Sequence, residues 1–313
     1  MRENVLFTVD TPYRHSLPVK GWYFGDPAKK SVAVMGALRG NEIQQMYICA
    51  RLIQALKELE QESLLAPDCG ILVIPCANQF SMNVGKRFWA ADNTDINRMF
   101  PGYEQGETTQ RIAARIFSAI QGYRCGIHLA SFYLPGDLLP HVRIMETGYQ
   151  REEEAMAFGL PYVLLRRPQP YDTTTLNYNW QIWDTQAFSL YTRETDRIDP
   201  VAARQAVDAI LRFLYAKGLS RRAVAPAETS PVLFREDGLR NVLSGAGGLL
   251  LRCCEPGDAV QAGDLLGEIL DPCTCAVLEQ LRADSPGRVF FIHRGQLING
   301  HEVAFRILPQ ACS

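Results

Sequence analysis

From Val32 to about Tyr215, short apolar runs alternate with longer stretches whose apolar residues recur every three or four positions. Ser31–Met35 is a mostly apolar run closed by Gly36, the composition of a buried strand. Across Glu42–Glu60 the residues Ile43, Met46, Ala50, Ile53, Leu56 and Leu59 return at helical spacing and predict a helix. Gly70–Ile74 repeats the strand pattern and is expected to stop at Pro75. The same tests predict a helix over Thr108–Ile120, strands over Arg124–His128, Tyr162–Leu165 and Phe188–Tyr191, and a helix over Val201–Tyr215 with Ala206, Ile210, Phe213 and Leu214 on one side. Alternation of this kind predicts an α/β fold, a mixed sheet flanked by helices.

After Lys217 the pattern changes. Ser220–Ser230 is polar, small and proline-containing, a linker by composition, and beyond it come short β-type runs with glycines and no helical periodicity. The expected organisation is an α/β domain over 1–219 and a β-rich domain over 220–313. Two segments of the latter resemble each other: Gly248–Leu251 with a Pro256–Gly263 turn and Gly267–Leu270, and Gly287–Phe291 with an Arg294–Gly300 turn and Phe305–Leu308. A quasi-repeat of strand, turn, glycine and strand predicts a small barrel or sandwich of two related halves. It resembles the barrel-sandwich fold of biotinyl and lipoyl carriers, which modify a lysine at a hairpin tip. No lysine follows Lys217. That excludes a swinging arm and leaves a structural or substrate-gating module.

Composition narrows the partners. The chain has 313 residues, 32 basic and 34 acidic, so no electrostatic footprint points to nucleic acid or an anionic membrane. Met1–Tyr13 carries Glu3, Asn4 and Asp10 and no apolar run, and no stretch approaches the ~20 apolar residues of a membrane span. The expectation is a cytoplasmic protein with a small, polar partner; self-association is left open. Nine cysteines, an odd number, argue against a secreted disulfide framework. Cys253-Cys254 and Cys273-Thr274-Cys275 lack the spacing of a four-cysteine zinc site.

Candidate chemistry gathers where strands are expected to end. Glu42, at the start of the first helix, and His128, at the end of a strand, are metal-ligand types at separated strand ends, and catalytic zinc takes three such ligands plus water. Glu194, at the end of a later strand, is placed to take a proton from water. Asn97 and Arg98 offer a fork of donors for a carboxylate.

The order of these segments is similar to that of the succinylglutamate desuccinylase and aspartoacylase family, within the wider zinc carboxypeptidase-like group. The family's His-Gly-x-Glu is matched by Arg39-Gly40-Asn41-Glu42, its Asp-Leu-Asn-Arg-x-Phe-Pro-Gly by Asp95–Gly102, its Asp-x-His by Gly126-Ile127-His128, and its Thr-x-Glu-x-Gly by Thr192-Arg193-Glu194-Thr195. Ile74–Asn78 and Gly85-Lys86-Arg87 resemble its proline-asparagine turn and its oxyanion arginine, and its C-terminal β module is present. The resemblance implies a zinc-dependent hydrolase of a small carboxylated amide such as an N-acyl amino acid. Glu42 and His128 would bind metal, Glu194 would be the general base, Arg87 would steady the oxyanion, and Asn97 with Arg98 would hold the carboxylate.

Two residues depart from the family pattern. Arg39 stands where the first histidine ligand belongs, and a guanidinium has no lone pair to give. Gly126 replaces the carboxylate two residues before His128, a partner of the kind that orients ligand histidines. Three accounts of the site follow. A metal stays on Glu42 and His128 with His141 as substitute ligand; or Arg39 pairs with Glu42 in place of zinc and helps to bind a carboxylated ligand without hydrolysis; or catalysis proceeds without metal through Glu194 and arginines. Each residue also has a plainer reading. Glu42 is a favourable charge at a helix start, His128 a core histidine, Arg98 a surface cation, and Glu194 half of an ion pair with Arg193 or Arg197.

Overall fold

The computed structural model describes residues 1–10, 15–227 and 229–310. Tyr13 of the N-terminal stretch, Glu228 of the expected linker and Cys312 lie outside the described residues. The chain parts into two units, Met1–Ser131 with Pro140–Leu233 and Phe132–Leu139 with Phe234–Ser313. Polarity had suggested a boundary at 219 and 220; the structural division falls after Leu233 and gives the second unit a segment from the middle of the chain.

The first unit contains β1 (Arg2–Val9), β2 (Leu17–Gly25), β3 (Val32–Ala37), α1 (Ile43–Gln61), β4 (Gly70–Cys76), α2 (Gln79–Asn83), α3 (Thr108–Ile120) and β5 (Cys125–Ala130). After β6 (Gly136–Leu138), which belongs to the second unit, come β7 (His141–Met145), α4 (Glu152–Met156), β8 (Tyr162–Arg166), α5 (Leu176–Ile182), β9 (Gln186–Tyr191), α6 (Pro200–Ala216) and β10 (Val232–Arg235). The sheet order is β1-β2-β4-β3-β5-β9-β7-β8-β10. Strands β4, β3, β5 and β9 run parallel, and β2 and β7 join them antiparallel. This is the mixed, helix-flanked sheet that the alternation predicted.

Its two faces are separated by the strand period of two. On β4, Ile71 and Val73 enter a core with Ile48, Leu52 and Leu56 of α1 and Ile210 and Phe213 of α6. Leu72 and Ile74 enter the other, with Ile112 and Ile116 of α3 and Trp180 of α5. Helix starts follow local chemistry. Asp199 accepts from the Val201 and Ala202 N–H groups ahead of Pro200, and Glu107 with Gln110 forms a capping box on α3. Contrary to expectation, β4 continues through Pro75 to Cys76. The last β2 partner is Trp22, opposite Val73, so beyond that point the strand needs to pair only with β3.

In the second unit β11 (Arg240–Leu243), β12 (Gly248–Arg252), β13 (Ala259–Val260), β14 (Leu265–Leu270), β15 (Val277–Arg282), β16 (Gly287–His293), β17 (Leu297–Ile298) and β18 (Val303–Pro309) form two antiparallel sheets, β11-β18-β16-β13 and β15-β14-β12-β17. The quasi-repeat is visible as an exchange. Pairs β12·β14 and β16·β18 are equivalent, and the short strand of each half pairs with the first strand of the other, β13 with β16 and β17 with β12. Leu266, Ile269, Val289, Ile292, Phe305 and Ile307 fill the space between.

Candidate active site

Leu38–Glu42 turns the chain from β3 into α1, at the end of the sheet where open α/β folds present ligand sites. Space requires Gly40 in this turn. A Cβ there would lie 2.2 Å from the Lys86 carbonyl oxygen and 2.6 Å from the Met82 nitrogen. The Gly40 N–H donates to the Arg87 carbonyl at 2.8 Å, which holds the Arg87 loop against the turn. Glu42 takes the N-cap position of α1 without capping it, because its carboxylate faces backwards. Its Oε2 accepts from the Leu38 and Arg39 N–H groups at 2.8 and 2.9 Å. Its Oε1 accepts from the Ser131 hydroxyl at 2.5 Å and from Arg39 Nη1 at 3.2 Å. Both oxygens are committed inside the protein.

Arg39 is only 3% exposed. Nη1 also donates to Ser131 Oγ at 3.0 Å, and Nε and Nη2 form a fork on Asp95, with Nη2 at 2.8 Å from Oδ2. Burial works against the guanidinium charge, but Glu42 and then Asp95 outweigh it, so the Arg39 pKa is raised and the group stays cationic. Asp95 also accepts from the Asn97 N–H at 3.0 Å, so one carboxylate both caps the turn at Ile96–Arg98 and clamps Arg39.

Asn97 and Arg98 are anchored by the loop before α5. Asn97 Oδ1 accepts from the Leu176 N–H at 3.1 Å; Arg98 Nη1 donates to the Tyr171 carbonyl at 2.9 Å and lies 3.9 Å from Asp172. That bond uses one of the five N–H groups of Arg98, whose side chain is 30% exposed and lies over the Tyr171 ring. The Arg87 pKa is lowered by burial and next by Arg39, and Asp95, Glu42 and Arg98 also act on it. These five charged groups therefore share one site.

His128 lies on the adjoining face of the sheet. Ile127 and Leu129 point into the α1 and α6 core, so His128 points the other way, 2% exposed, and its Nε2 has no hydrogen-bond partner among the described residues. Burial first, then Arg39 and Arg143, push its pKa down to about 3, so the ring is neutral near pH 7. His141 stacks on the Tyr191 ring, with centroids 4.7 Å apart and planes at 1°. Glu194 follows β9, with Arg197 Nε 3.5 Å from its Oε2. The next residue, Thr195, accepts from the Gln44 N–H at 3.0 Å, which draws this segment across the first turn of α1.

Arg39 thus joins Glu42 and Asp95, with Arg87 within electrostatic reach of all three and of Arg98. Residues 28–216 match the succinylglutamate desuccinylase/aspartoacylase catalytic domain. The chain belongs to that family. Among solved structures it is similar to a succinylglutamate desuccinylase/aspartoacylase from Rhodobacter sphaeroides, at 18% identity over 95% of this chain and 91% of the other, with a TM-score of 0.78. It is also similar to an aspartoacylase family protein from Mesorhizobium loti, at 20% identity over 97% and 93%, TM-score 0.77. A third is the product-bound ectoine utilization protein EutE (DoeB) from Ruegeria pomeroyi, at 18% identity over 93% and 89%, TM-score 0.79. These similarities carry the fold. No curated protein matches the chain. No helix among the described residues is long and apolar enough to cross a membrane.

The family resemblance implies zinc, and the residues present do not fit it. Arg39 has no lone pair, and both Glu42 oxygens are taken. His128 stands within reach of two guanidinium charges, a poor place for a divalent cation. The space of the missing carboxylate is filled as well, since a Cβ on Gly126 would lie 2.6 Å from the Trp180 ring. His141 packs on Tyr191, and among the described residues no three His, Cys, Asp or Glu side chains gather where they could hold a metal. Four residues of this site carry no assignment from sequence: Asp95, Ser131, Arg143 and Tyr191. Asp95 opens the Asp-Ile-Asn-Arg motif, which was a usable signal. The other three share a site with Arg39 only through the sheet.

Proposed function

We propose that this member of a hydrolase family takes a small carboxylated amide, such as an N-acyl amino acid, at a site whose central cation is the Arg39 guanidinium and not zinc. The observation that carries the reading is the bond from buried Arg39 to both Asp95 and Glu42, which uses the family's metal-ligand carboxylate internally. Around that centre the unspent donors of Arg98 suit the ligand carboxylate, and Arg87 suits its carbonyl. Hydrolysis in such a site has Glu194 take a proton from water, Arg87 hold the developing oxyanion, and Glu194 return the proton to the leaving amine. No step passes through a metal. The retained Asn97-Arg98 and Glu194 segments support this reading over binding alone.

Elemental analysis tests it after the protein has been incubated with zinc chloride and desalted. The expected result is no stoichiometric zinc, with a melting temperature unchanged by chelator. One zinc per chain that Glu42→Ala removes would refute the reading. For the base, Glu194→Gln is expected to abolish turnover of N-acyl amino acids, and undiminished turnover would exclude Glu194 from that role.

A further inference from the structure

The first turn of an α-helix has N–H groups without intrahelical acceptors. In α1 the one on Gln44 goes to another segment, donating to the Thr195 carbonyl at 3.0 Å. The Gln44 side chain, fully buried, reaches the same segment four residues further on. Its Nε2 donates to the Asp199 carbonyl at 3.0 Å, and its Oε1 accepts from the Asp199 N–H at 2.9 Å. One residue thus fastens the stretch after β9 at two places. All of these bonds go to main chain, so they fix the backbone path itself.

Both anchors bear on Glu194. It directly precedes the first anchor, and its own carbonyl accepts from the Thr192 hydroxyl at 3.1 Å, so its backbone is held on either side. The second anchor is the N-cap of α6. There the Asp199 carboxylate accepts from the Val201 and Ala202 N–H groups, and the Asp199 carbonyl takes the Ala203 N–H at 2.9 Å along with the Gln44 amide. A carbonyl has two lone pairs, so both bonds coexist. The side-chain pair within the stretch, Arg197 with Glu194 at 3.5 Å, involves an arginine that is 71% exposed and holds little. Were the stretch to lift away, the buried Gln44 amide would lose its partners, at a cost that keeps the stretch down.

Gln44 also lies two residues after Glu42, whose carboxylate is bonded to Arg39 and Ser131. We infer that Gln44 is a positioning residue, which sets the Glu194 segment against the Arg39–Glu42 turn and so fixes the base relative to the central cation. It touches no ligand in this role and acts through the backbone of Thr195 and Asp199. The inference rests on the hydrolytic reading above, in which Glu194 takes the proton, and adds to it what holds Glu194 in place. A base needs such a hold, because a misplacement of ~1 Å can cost roughly 100-fold in rate.

The test compares the unaltered full-length protein with Gln44→Met, which keeps the volume and makes neither amide bond. Turnover of a panel of N-acetyl amino acids is measured at a temperature where thermal melts show both proteins folded. Gln44→Met is expected to lower kcat at least about tenfold and to leave KM within about twofold, because Arg87 and Arg98 lie on other segments. In hydrogen–deuterium exchange, the amides of residues 193–199 are expected to exchange at least about tenfold faster, with those of α3 unchanged; a general loss of stability would speed both. Gln44→Glu, which keeps an acceptor for the Asp199 N–H, carries the same test if Gln44→Met does not fold, with a smaller loss of kcat expected. An unchanged kcat, or a loss with exchange over 193–199 unaltered or quickened equally in α3, would overturn the inference and leave the hydrolytic reading standing. If the unaltered protein turns over none of the panel, that reading fails and takes the inference with it.

Discussion

A single substitution at a ligand position ordinarily leaves a hole in a metal site, but Arg39 arrives with partners from three segments. Asp95, Ser131 and Glu42 accept from four of the five Arg39 donors. A buried ion cluster of this kind contributes little when compared with an apolar replacement, yet loses much when one member is removed. Asp95→Ala should therefore destabilise the fold by about 3 kcal/mol in urea denaturation, and a loss under about 1 kcal/mol would mean that solvent already shares the cluster. His128 gives a second prediction at this scale. Its folded pKa of about 3 lies below the usual histidine value of 6.5, so the unfolded chain binds the proton more readily between those values. The stabilisation from keeping the ring neutral is complete above pH 6.5 and is lost as the pH falls towards 3, up to about 5 kcal/mol in all. Unfolding free energies measured from pH 7 to 4 should fall less steeply in His128→Gln. Equal slopes would show that His128 accepts a proton in the native state. The motif order made Arg39 and Glu42 legible as neighbours from sequence alone. It left Ser131 and Arg143 unassigned, because what a side chain meets across a sheet depends on register and not on spacing along the chain.

Elements carry the same lesson in their composition. Strands β3, β5 and β9 are buried on both faces and read as apolar runs, so periodicity found them with end errors of about two residues. Strand β7 escaped because His141 and Arg143 interrupt its apolar residues; those positions face away from the α1 and α6 core, and their polar side chains write an alternation into a buried strand. The N-terminal pair β1 and β2 escaped for a different reason: β1 is an edge strand whose first residues are exposed on both faces, so its polar and apolar positions do not alternate. Gly126 on β5 shows how an element commits to one chemistry. Restoring a side chain there collides with Trp180, whose ring lies fully buried under α5. Gly126→Ala should cost about 1–3 kcal/mol of stability by overpacking. Pairing it with Trp180→Phe, which offers a smaller ring, should return part of that loss, and a neutral Gly126→Ala would show that the α5 contact is loose.

At the scale of the whole molecule, the chain's path was not readable from polarity. The second unit takes Phe132–Leu139 from between β5 and β7, so it is not a contiguous C-terminal piece that polarity along the chain could delimit. Within that unit β6 completes an edge. Its Leu138, Asp137 and Gly136 pair with Phe291, Ile292 and His293 of β16, and Asp137 forms an ion pair with Arg252 at 2.7 Å. The other end of β16 is covered by β13, at Ala259 and Val260. A fragment of residues 234–313 would therefore expose β16 backbone at Phe291–His293, next to apolar side chains, and an open edge of that kind templates association. Such a fragment is expected to self-associate in size-exclusion chromatography as its concentration rises. Joining residues 132–139 to its N-terminus through a flexible glycine-serine linker should return a monomer that unfolds cooperatively. If 234–313 alone is already monomeric and cooperative, β6 is an accessory strand, and the quasi-two-fold exchange of β13 and β17 is enough to hold the unit together.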